Sequence, residues 1–188
     1  MKAYLSVAAV FTLTASVALA ASSRSLNLIQ MTEAAGSIVS GRVLEVRHTI
    51  DSNTRLPVQI VSLVVQQRLK GDGGETFVFK QFDDQTGAYA ECDDVLLFLY
   101  PASRLGLTSA VGLGQGNFRM KLINGVRHFA NLINNRGLLT EVRGANTSQL
   151  RDAQSGVDRP NSGPVREEDL LNLTRQAVRS TVRAGRAK

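Results

Sequence analysis

The sequence contains little of what several protein classes require. Its single cysteine, Cys92, in 188 residues excludes a disulfide framework within the chain. Two histidines, His48 and His128, lie too far apart to form the usual zinc-ligand spacings with that cysteine. Apolar residues make up 43% and charged residues 20%, and these ordinary shares exclude a chain that is disordered throughout, a collagen or a long coiled coil. We therefore expect one folded domain with appendages.

Residues 1–20 have the composition of a secretory signal peptide. Lys2 is the only charge, and small residues at Ala18 and Ala20 predict cleavage after Ala20. A retained membrane anchor is the alternative, because the apolar stretch is near the minimum of about 17 residues that can span a bilayer. We expect an exported protein, periplasmic or extracellular, with no integral membrane association after signal cleavage.

Residues 21–142 show mainly the period-two pattern of strands. A short helix comes first, capped by Ser25 or Asn27 and ended by Gly36. Strands are predicted over 38–46, 59–69, 75–82 and 95–100. The run 59–69 is apolar on both faces, so we expect it to be central in the sheet.

A hairpin of residues 110–123 and 126–132 follows, around Asn124-Gly125, the dipeptide favoured by a type I′ turn. A two-residue loop sets its register, with Ile123 opposite Val126, Lys121 opposite His128, and Met120 opposite Phe129. Together these elements predict a mainly β domain, a small antiparallel Greek-key barrel of the OB type.

The C-terminal region changes in composition and charge. Residues 143–165 have the polar, glycine-containing composition of a linker, 166–183 have the apolar stripe of an amphipathic helix, and 184–188 form a basic tail. Residues 143–188 hold nine basic and five acidic side chains, a net charge of +4. The helix either docks on the barrel or folds only with a partner. A basic end could contact an anionic membrane, nucleic acid or an acidic protein, but it has no aromatic residue to stack on bases, so we expect no nucleic-acid partner.

The order of several motifs carries a resemblance to a known family. These motifs are Ala34-Ala35-Gly36, the strand 38–43, Leu69-Lys70-Gly71, the strand 95–100 and the segment 111–118. Over residues 26–132 the chain resembles a family of exported bacterial proteins of unknown function. That family is itself similar to the netrin-like module, the OB-type barrel of the tissue inhibitors of metalloproteinases.

The resemblance implies a barrel scaffold and, by analogy, binding of a secreted protease or another extracytoplasmic protein. The animal inhibitors approach the protease zinc with an N-terminal cysteine. The N-terminus expected here is Ala21, so that role transfers to no residue of this chain.

Two groups of side chains could support catalysis. Cys92 with His48 or His128 would form a nucleophile and base, and the acidic loop 83–94 could hold Ca²⁺ or a carboxylate pair. Neither pattern matches a standard motif, so we expect no catalytic residue, no cofactor and no metal.

The preferred hypothesis is an exported, non-enzymatic binding module that engages a secreted protein such as a protease. Its alternative is a small extracytoplasmic hydrolase that uses Cys92 or the acidic loop 83–94. The sequence predicts a binding surface from two aromatic residues near loop ends and three arginines of the C-terminal helix, namely Phe82, Tyr89, Arg175, Arg179 and Arg183.

Overall fold

The computed structural model describes residues 24–83, 89–140 and 162–186. These residues form two helices and seven strands, in the order α1 (Leu28–Ala34), β1 (Ser37–Ile50), β2 (Pro57–Lys70), β3 (Thr76–Phe82), β4 (Asp94–Leu99), β5 (Asn117–Ile123), β6 (Val126–Asn131), β7 (Val165–Arg166) and α2 (Glu167–Arg186). The predicted signal peptide and its cleavage point lie outside the described residues.

The seven strands form one sheet in the order β3-β2-β1-β4-β5-β6-β7, and every ladder is antiparallel. The mainly β class with a short N-terminal and a C-terminal helix is therefore confirmed. The expectation that β2 is central is wrong, since β2 lies second from the edge and the fully buried β4 is the middle strand. No ladder between described residues joins β3 to β7. The segment after β4 makes only single-residue bridges, from Leu107 to Lys80 and from Ala110 to Leu99. A closed barrel is not confirmed.

The β5–β6 hairpin has the predicted register, with all three expected residue pairs opposite each other. Asn124 and Gly125 have φ values of 51° and 76°, as a type I′ turn requires. The first strand starts later than predicted, at Asn117 rather than residue 110. Residues 111–116 form turns in which Gly112 and Gly114 take positive φ values of 68° and 89°, so the ladder cannot begin before them.

The sheet has a hydrophobic core on each face, because successive side chains of a strand point in opposite directions. On one face, which we call the helix face, Leu96 and Phe98 of β4 pack with residues of α1 and α2. On the opposite face, which we call the inner face, Val95 and Leu97 pack with side chains of β1, β2 and β3. All six residues of β4 are buried, which explains why its sequence is nearly all apolar.

Helix α1 begins with a capping box. The Asn27 side chain accepts a hydrogen bond from the backbone N–H of Gln30, and the Gln30 side chain accepts one from the backbone N–H of Asn27. The expectation that Gly36 ends the helix in a left-handed conformation is wrong, since the cap is Ala35 in an extended conformation. Gly36 serves close packing, because a Cβ there would lie 2.8 Å from Cα of Pro101.

Helix α2 docks on the helix face. Leu170, Leu173 and Ala177 are buried there. The helix starts at Glu167 and ends at Arg186, and strand β7 occupies positions that were assigned to the end of the linker and the start of the helix. Residues 143–161 of the predicted linker lie outside the described residues. No described helix has the length and apolar character that crossing a bilayer requires.

Candidate binding rim at the β1–β2 hairpin

Four exposed apolar residues lie at the end of the sheet where β1 turns into β2. The ladders place Ile50 and Pro57 on one face of the sheet and Phe82 on the other. Ile50 pairs with Pro57 in the β1–β2 ladder, and Val58 pairs with Phe82 at the end of β3. Ile50 is 58% exposed, Leu56 51% and Phe82 43%, and Pro57 is exposed as well. We call Ile50, Leu56, Pro57 and Phe82 the hairpin rim.

The loop that carries Leu56 is built around the side chain of Asp51. Its Oδ1 accepts hydrogen bonds from the backbone N–H groups of Asn53 at 3.1 Å and Thr54 at 2.8 Å. An aspartate that binds backbone amides two and three residues ahead stabilises a turn. The backbone N–H of Asp51 donates to the carbonyl of Leu56 at 3.0 Å and closes the loop.

Lys80 fixes this loop to β3. Its Nζ lies 2.6 Å from Oδ2 of Asp51, whose side chain is 4% exposed. The hydrogen bond from Lys80, followed by that from the Thr54 backbone, holds the pKa of Asp51 well below its ordinary value. The carboxylate therefore stays charged and keeps both sets of partners.

A second pair holds the other side of the rim. Nδ1 of His48 lies 2.7 Å from Oδ2 of Asp83, the residue after β3. The backbone N–H of Asp83 donates to the carbonyl of Pro57 at 3.0 Å. Strands β1, β2 and β3 are thus joined at this end by side chains as well as by their ladders. These contacts fix the backbone that carries the apolar side chains of the rim.

A buried amide lies directly below the rim. Gln59 is 1% exposed, and neither its Oε1 nor its Nε2 has a hydrogen-bond partner. It is opposite His48 on β1 and Gln81 on β3, so these three polar side chains form one row across the inner face. The apolar row of Val46, Val61 and Phe79 lies below it.

Only one of the predicted binding residues belongs to the rim. Phe82 is exposed there as expected, but Tyr89 is 7% exposed and packs edge-on against Phe79, with ring centroids 5.4 Å apart. The expectation that Tyr89 would be exposed is wrong, because the aromatic ring completes the inner-face core instead of the loop surface.

The three predicted arginines lie elsewhere, on α2. Arg175 donates to Oδ1 of Asn172 at 2.5 Å and to Oε1 of Gln67. Arg179 and Arg183 are exposed further along the helix. Since Gln67 is near the opposite end of β2 from Pro57, the structure does not bring these arginines together with the rim.

The residues of the alternative thiol hydrolase do not meet. Cys92 is exposed, and its backbone N–H donates to the carbonyl of Val43 at 2.9 Å. His48 lies five residues after Val43 on β1, about 16 Å from it at the usual rise of a strand. Nδ1 of His128 lies 2.9 Å from the carbonyl of Val126. Neither imidazole makes a hydrogen bond to the thiol in the part of the chain that the structure describes.

The acidic loop lies partly outside the described residues, which omit 84–88. Its last member, Asp94, is buried and pairs with Arg42 at 2.8 Å and Arg127 at 3.0 Å, and Arg127 also pairs with Glu167 at the start of α2. The hydrogen bond from Arg42 is the main cause that lowers the pKa of Asp94. Within the ranges described, no three metal-ligating side chains come together. Asp94 is a structural connection between β1, β4, β6 and α2.

Of the rim residues, only Phe82 was predicted from the sequence to be a binding residue. The turn residues 51–53 and Pro57 indicated a connection there, and a buried aspartate in a turn is a recognisable pattern. Nothing in the local sequence shows that Lys80 reaches Asp51, or that Phe82 lies beside this loop, because both depend on the β2–β3 register. No protein-family model matches the chain, and no curated protein is significantly similar to it.

Proposed function

We propose that the chain is an exported binding module that engages an extracytoplasmic protein, such as a secreted protease, through the hairpin rim. The observation that supports this proposal is that Ile50 and Leu56 are exposed beside a loop held by Asp51 and Lys80, and that Phe82 is exposed at the end of the neighbouring strand β3. Export rests on the signal-like residues 1–20, and a protease as partner rests on the family resemblance.

The energetics of the rim favour this use. Full burial of an Ile, Leu or Phe side chain contributes roughly 1.5–3 kcal/mol, so these three can stabilise a partner that covers the end of the sheet from both faces. A loop that is already ordered loses little conformational entropy when it binds. The polar pairs Lys80–Asp51 and His48–Asp83 lie beside these apolar side chains, just as polar residues surround the apolar centre of a typical protein interface.

A photo-crosslinking experiment tests the proposal. A benzoylphenylalanine placed at Phe82 of the mature chain is exposed to the extracytoplasmic fraction of the source cells, and a second chain carries it at Leu132, which is more exposed but lies at the end of β6. We expect one stoichiometric adduct from position 82 and none from position 132. The adduct is then identified, and its protease activity is measured if it is a protease.

Matched variants decide whether the rim itself makes the contact. The rim variant replaces Ile50, Leu56 and Phe82 with serine, and the control replaces Leu113, Leu122 and Leu132, which are exposed apolar residues outside the rim. We expect the rim variant to lose at least about 30-fold in affinity for the identified partner, the size of one binding hot spot of about 2 kcal/mol. Equal binding by both variants, with both chains folded, would contradict the proposal.

A further inference from the structure

Strand β3 is one edge of the sheet, and part of that edge is open. The carbonyl of Glu75 accepts a hydrogen bond from the backbone N–H of Val65 on β2, and the carbonyl of Lys80 accepts one from the segment after β4. Because backbone groups alternate in direction along an antiparallel strand, the N–H and C=O groups of Thr76 and Val78 point away from β2. Within the described residues, no backbone group hydrogen-bonds to them on that side.

The open part lacks the features that usually protect an edge strand. Residues 76–79 contain no charged residue and no proline, and the β2–β3 ladder has no bulge. Val78 is 57% exposed. By contrast, β7 at the other edge of the sheet has only two residues, and the Lys80 end of β3 is covered by its bridge to Leu107. An unprotected edge of residues that favour strands is a template for a further strand.

The charges beside this edge favour a second copy of the chain as the added strand. The guanidinium carbon of Arg68 lies 5.3 Å from the ring centroid of Phe77, and its Nη2 donates to the carbonyl of Gly74 at 3.0 Å. Glu75 is exposed, and it lies on the same inner face as Phe77, two residues away. Among the described residues, neither Arg68 nor Glu75 has an ion pair. One edge therefore carries a cation and an anion that can each pair with the equivalent edge of another copy.

We propose that two copies of this chain pair in antiparallel fashion through β3, with the two-fold axis at Thr76. In this register Thr76 is opposite its own equivalent, and Phe77 of each copy is opposite Glu75 of the other. Each Glu75 carboxylate then lies beside the Arg68 that covers the opposing phenylalanine, so symmetry forms two ion pairs. An axis at Phe77 brings the two Arg68 side chains together instead, and their like charges repel.

The pairing closes at two copies. A two-fold contact uses the same edge of both copies, so no open β3 edge is left for a third. The contact ends at Val78, because the carbonyl of Lys80 already has a partner within its own chain. Phe82 of the hairpin rim lies beyond this point, so the dimer does not depend on the proposed function. The interface is small, and we expect a monomer–dimer equilibrium rather than a permanent dimer.

Single cysteines test the register. Both variants also carry Cys92→Ser, which removes the native exposed thiol. Thr76→Cys places a thiol on the axis, where opposite Cα atoms of a hydrogen-bonded pair are about 5.5 Å apart, within the range that a disulfide bridges. Val78→Cys is the control, since it is on the same face but about 14 Å along the strand from its equivalent. With oxidised glutathione we expect a covalent dimer from Thr76→Cys alone, and equal yields from both variants would overturn the proposal.

A charge exchange tests whether the occupant is a second copy. In sedimentation equilibrium, Glu75→Arg and Arg68→Glu should each weaken self-association at least about tenfold, because each replaces two ion pairs with like-charge contacts. An equimolar mixture of the two variants restores both pairs and should dimerise like the unchanged protein. Glu33→Arg makes the same charge change at an exposed residue of α1 and should have little effect.

Three results would overturn the proposal. The first is an unchanged protein that stays monomeric at every concentration tested. The second is a mixture of Glu75→Arg and Arg68→Glu that associates no better than either folded variant alone. The third is a benzoylphenylalanine at Val78 that crosslinks another extracytoplasmic protein in place of a second copy, since this assigns the open edge to that protein.

Discussion

The two long hairpins of this sheet reverse the chain by different physical means. In the β5–β6 hairpin, backbone conformation suffices, because Asn124 and Gly125 take positive φ values and need no contact from elsewhere. In the β1–β2 hairpin, the loop depends on a buried carboxylate and on a lysine from β3. The first hairpin can form from local sequence alone. The second requires a third strand, so its exposed apolar side chains take their final positions only in the folded domain.

The largest expected effect concerns the close contact of β1 and β2. A Cβ at Gly41 would lie 2.3 Å from the backbone carbonyl oxygen of Val64, so Gly41→Ala must push the two strands apart. We expect a loss of about 3 kcal/mol in the free energy of unfolding, at the upper end for overpacking. Chemical denaturation measures it. Gly74→Ala is the control, since a Cβ there meets nothing within 4 Å, and an equal loss in both variants would contradict this account.

The next effect concerns the end of the β5–β6 hairpin. Asn135 and Asn131 each accept a hydrogen bond from the backbone N–H of the other, and Nδ2 of Asn135 donates to the carbonyls of Phe129 and Gly163. Asn135→Ala leaves these buried groups without partners and should cost about 2 kcal/mol. Asn135→Gly, which suits the φ of 57° at this position, should recover only the backbone part of that loss. Full recovery by glycine would show that the hydrogen bonds contribute nothing.

A smaller effect tests the turn of the same hairpin. Gly125→Ala places a Cβ at a φ of 76° in open space, so only the backbone conformation is penalised, by about 1 kcal/mol. Asn124→Gly keeps the turn and should change stability much less. Thermal unfolding of the two variants measures the difference, and a neutral Gly125→Ala would mean that the turn is not of type I′ in solution.

The smallest expected effect is a pH-dependent change in stability at the β1–β2 hairpin. Asp51→Asn keeps the oxygen that binds the backbone amides but removes the charge that binds Lys80. Because the pKa of Asp51 is lower in the folded chain than the ordinary value of about 3.9, its contribution is present above pH 4 and is lost as the pH falls further. We expect a lower melting temperature for the variant at pH 7, and a difference that shrinks below pH 4.

Asp72→Asn, which removes an exposed carboxylate from the β2–β3 turn, is the matched control for Asp51→Asn. It should leave the melting temperature unchanged at both pH values. Crosslinking from Phe82 should weaken in Asp51→Asn and not in Asp72→Asn. The opposite ranking would show that the rim does not depend on its buried carboxylate.

The contrast between the two hairpins also explains which features could be predicted from the sequence. The β5–β6 register followed from Asn124-Gly125, and the docked face of α2 followed from the spacing of Leu170, Leu173 and Ala177, because local pattern decides both. The exposure of Tyr89 was predicted wrongly, since its burial depends on a contact with Phe79 of β3, which local sequence does not show. The rim could not be predicted in the same way, because it depends on the register of three strands.

The ion pairs of Arg127 with Asp94 and Glu167 connect the sheet to the first turn of α2, an element that follows all seven described strands. A ribosome or an export channel therefore releases all seven strands before the helix that shields Leu96, Phe98 and Phe129 has emerged. Until then, the apolar side chains of the helix face are exposed to water and to other incomplete chains. Incomplete chains can associate through this surface, so we expect the yield of folded protein to fall when synthesis is fast.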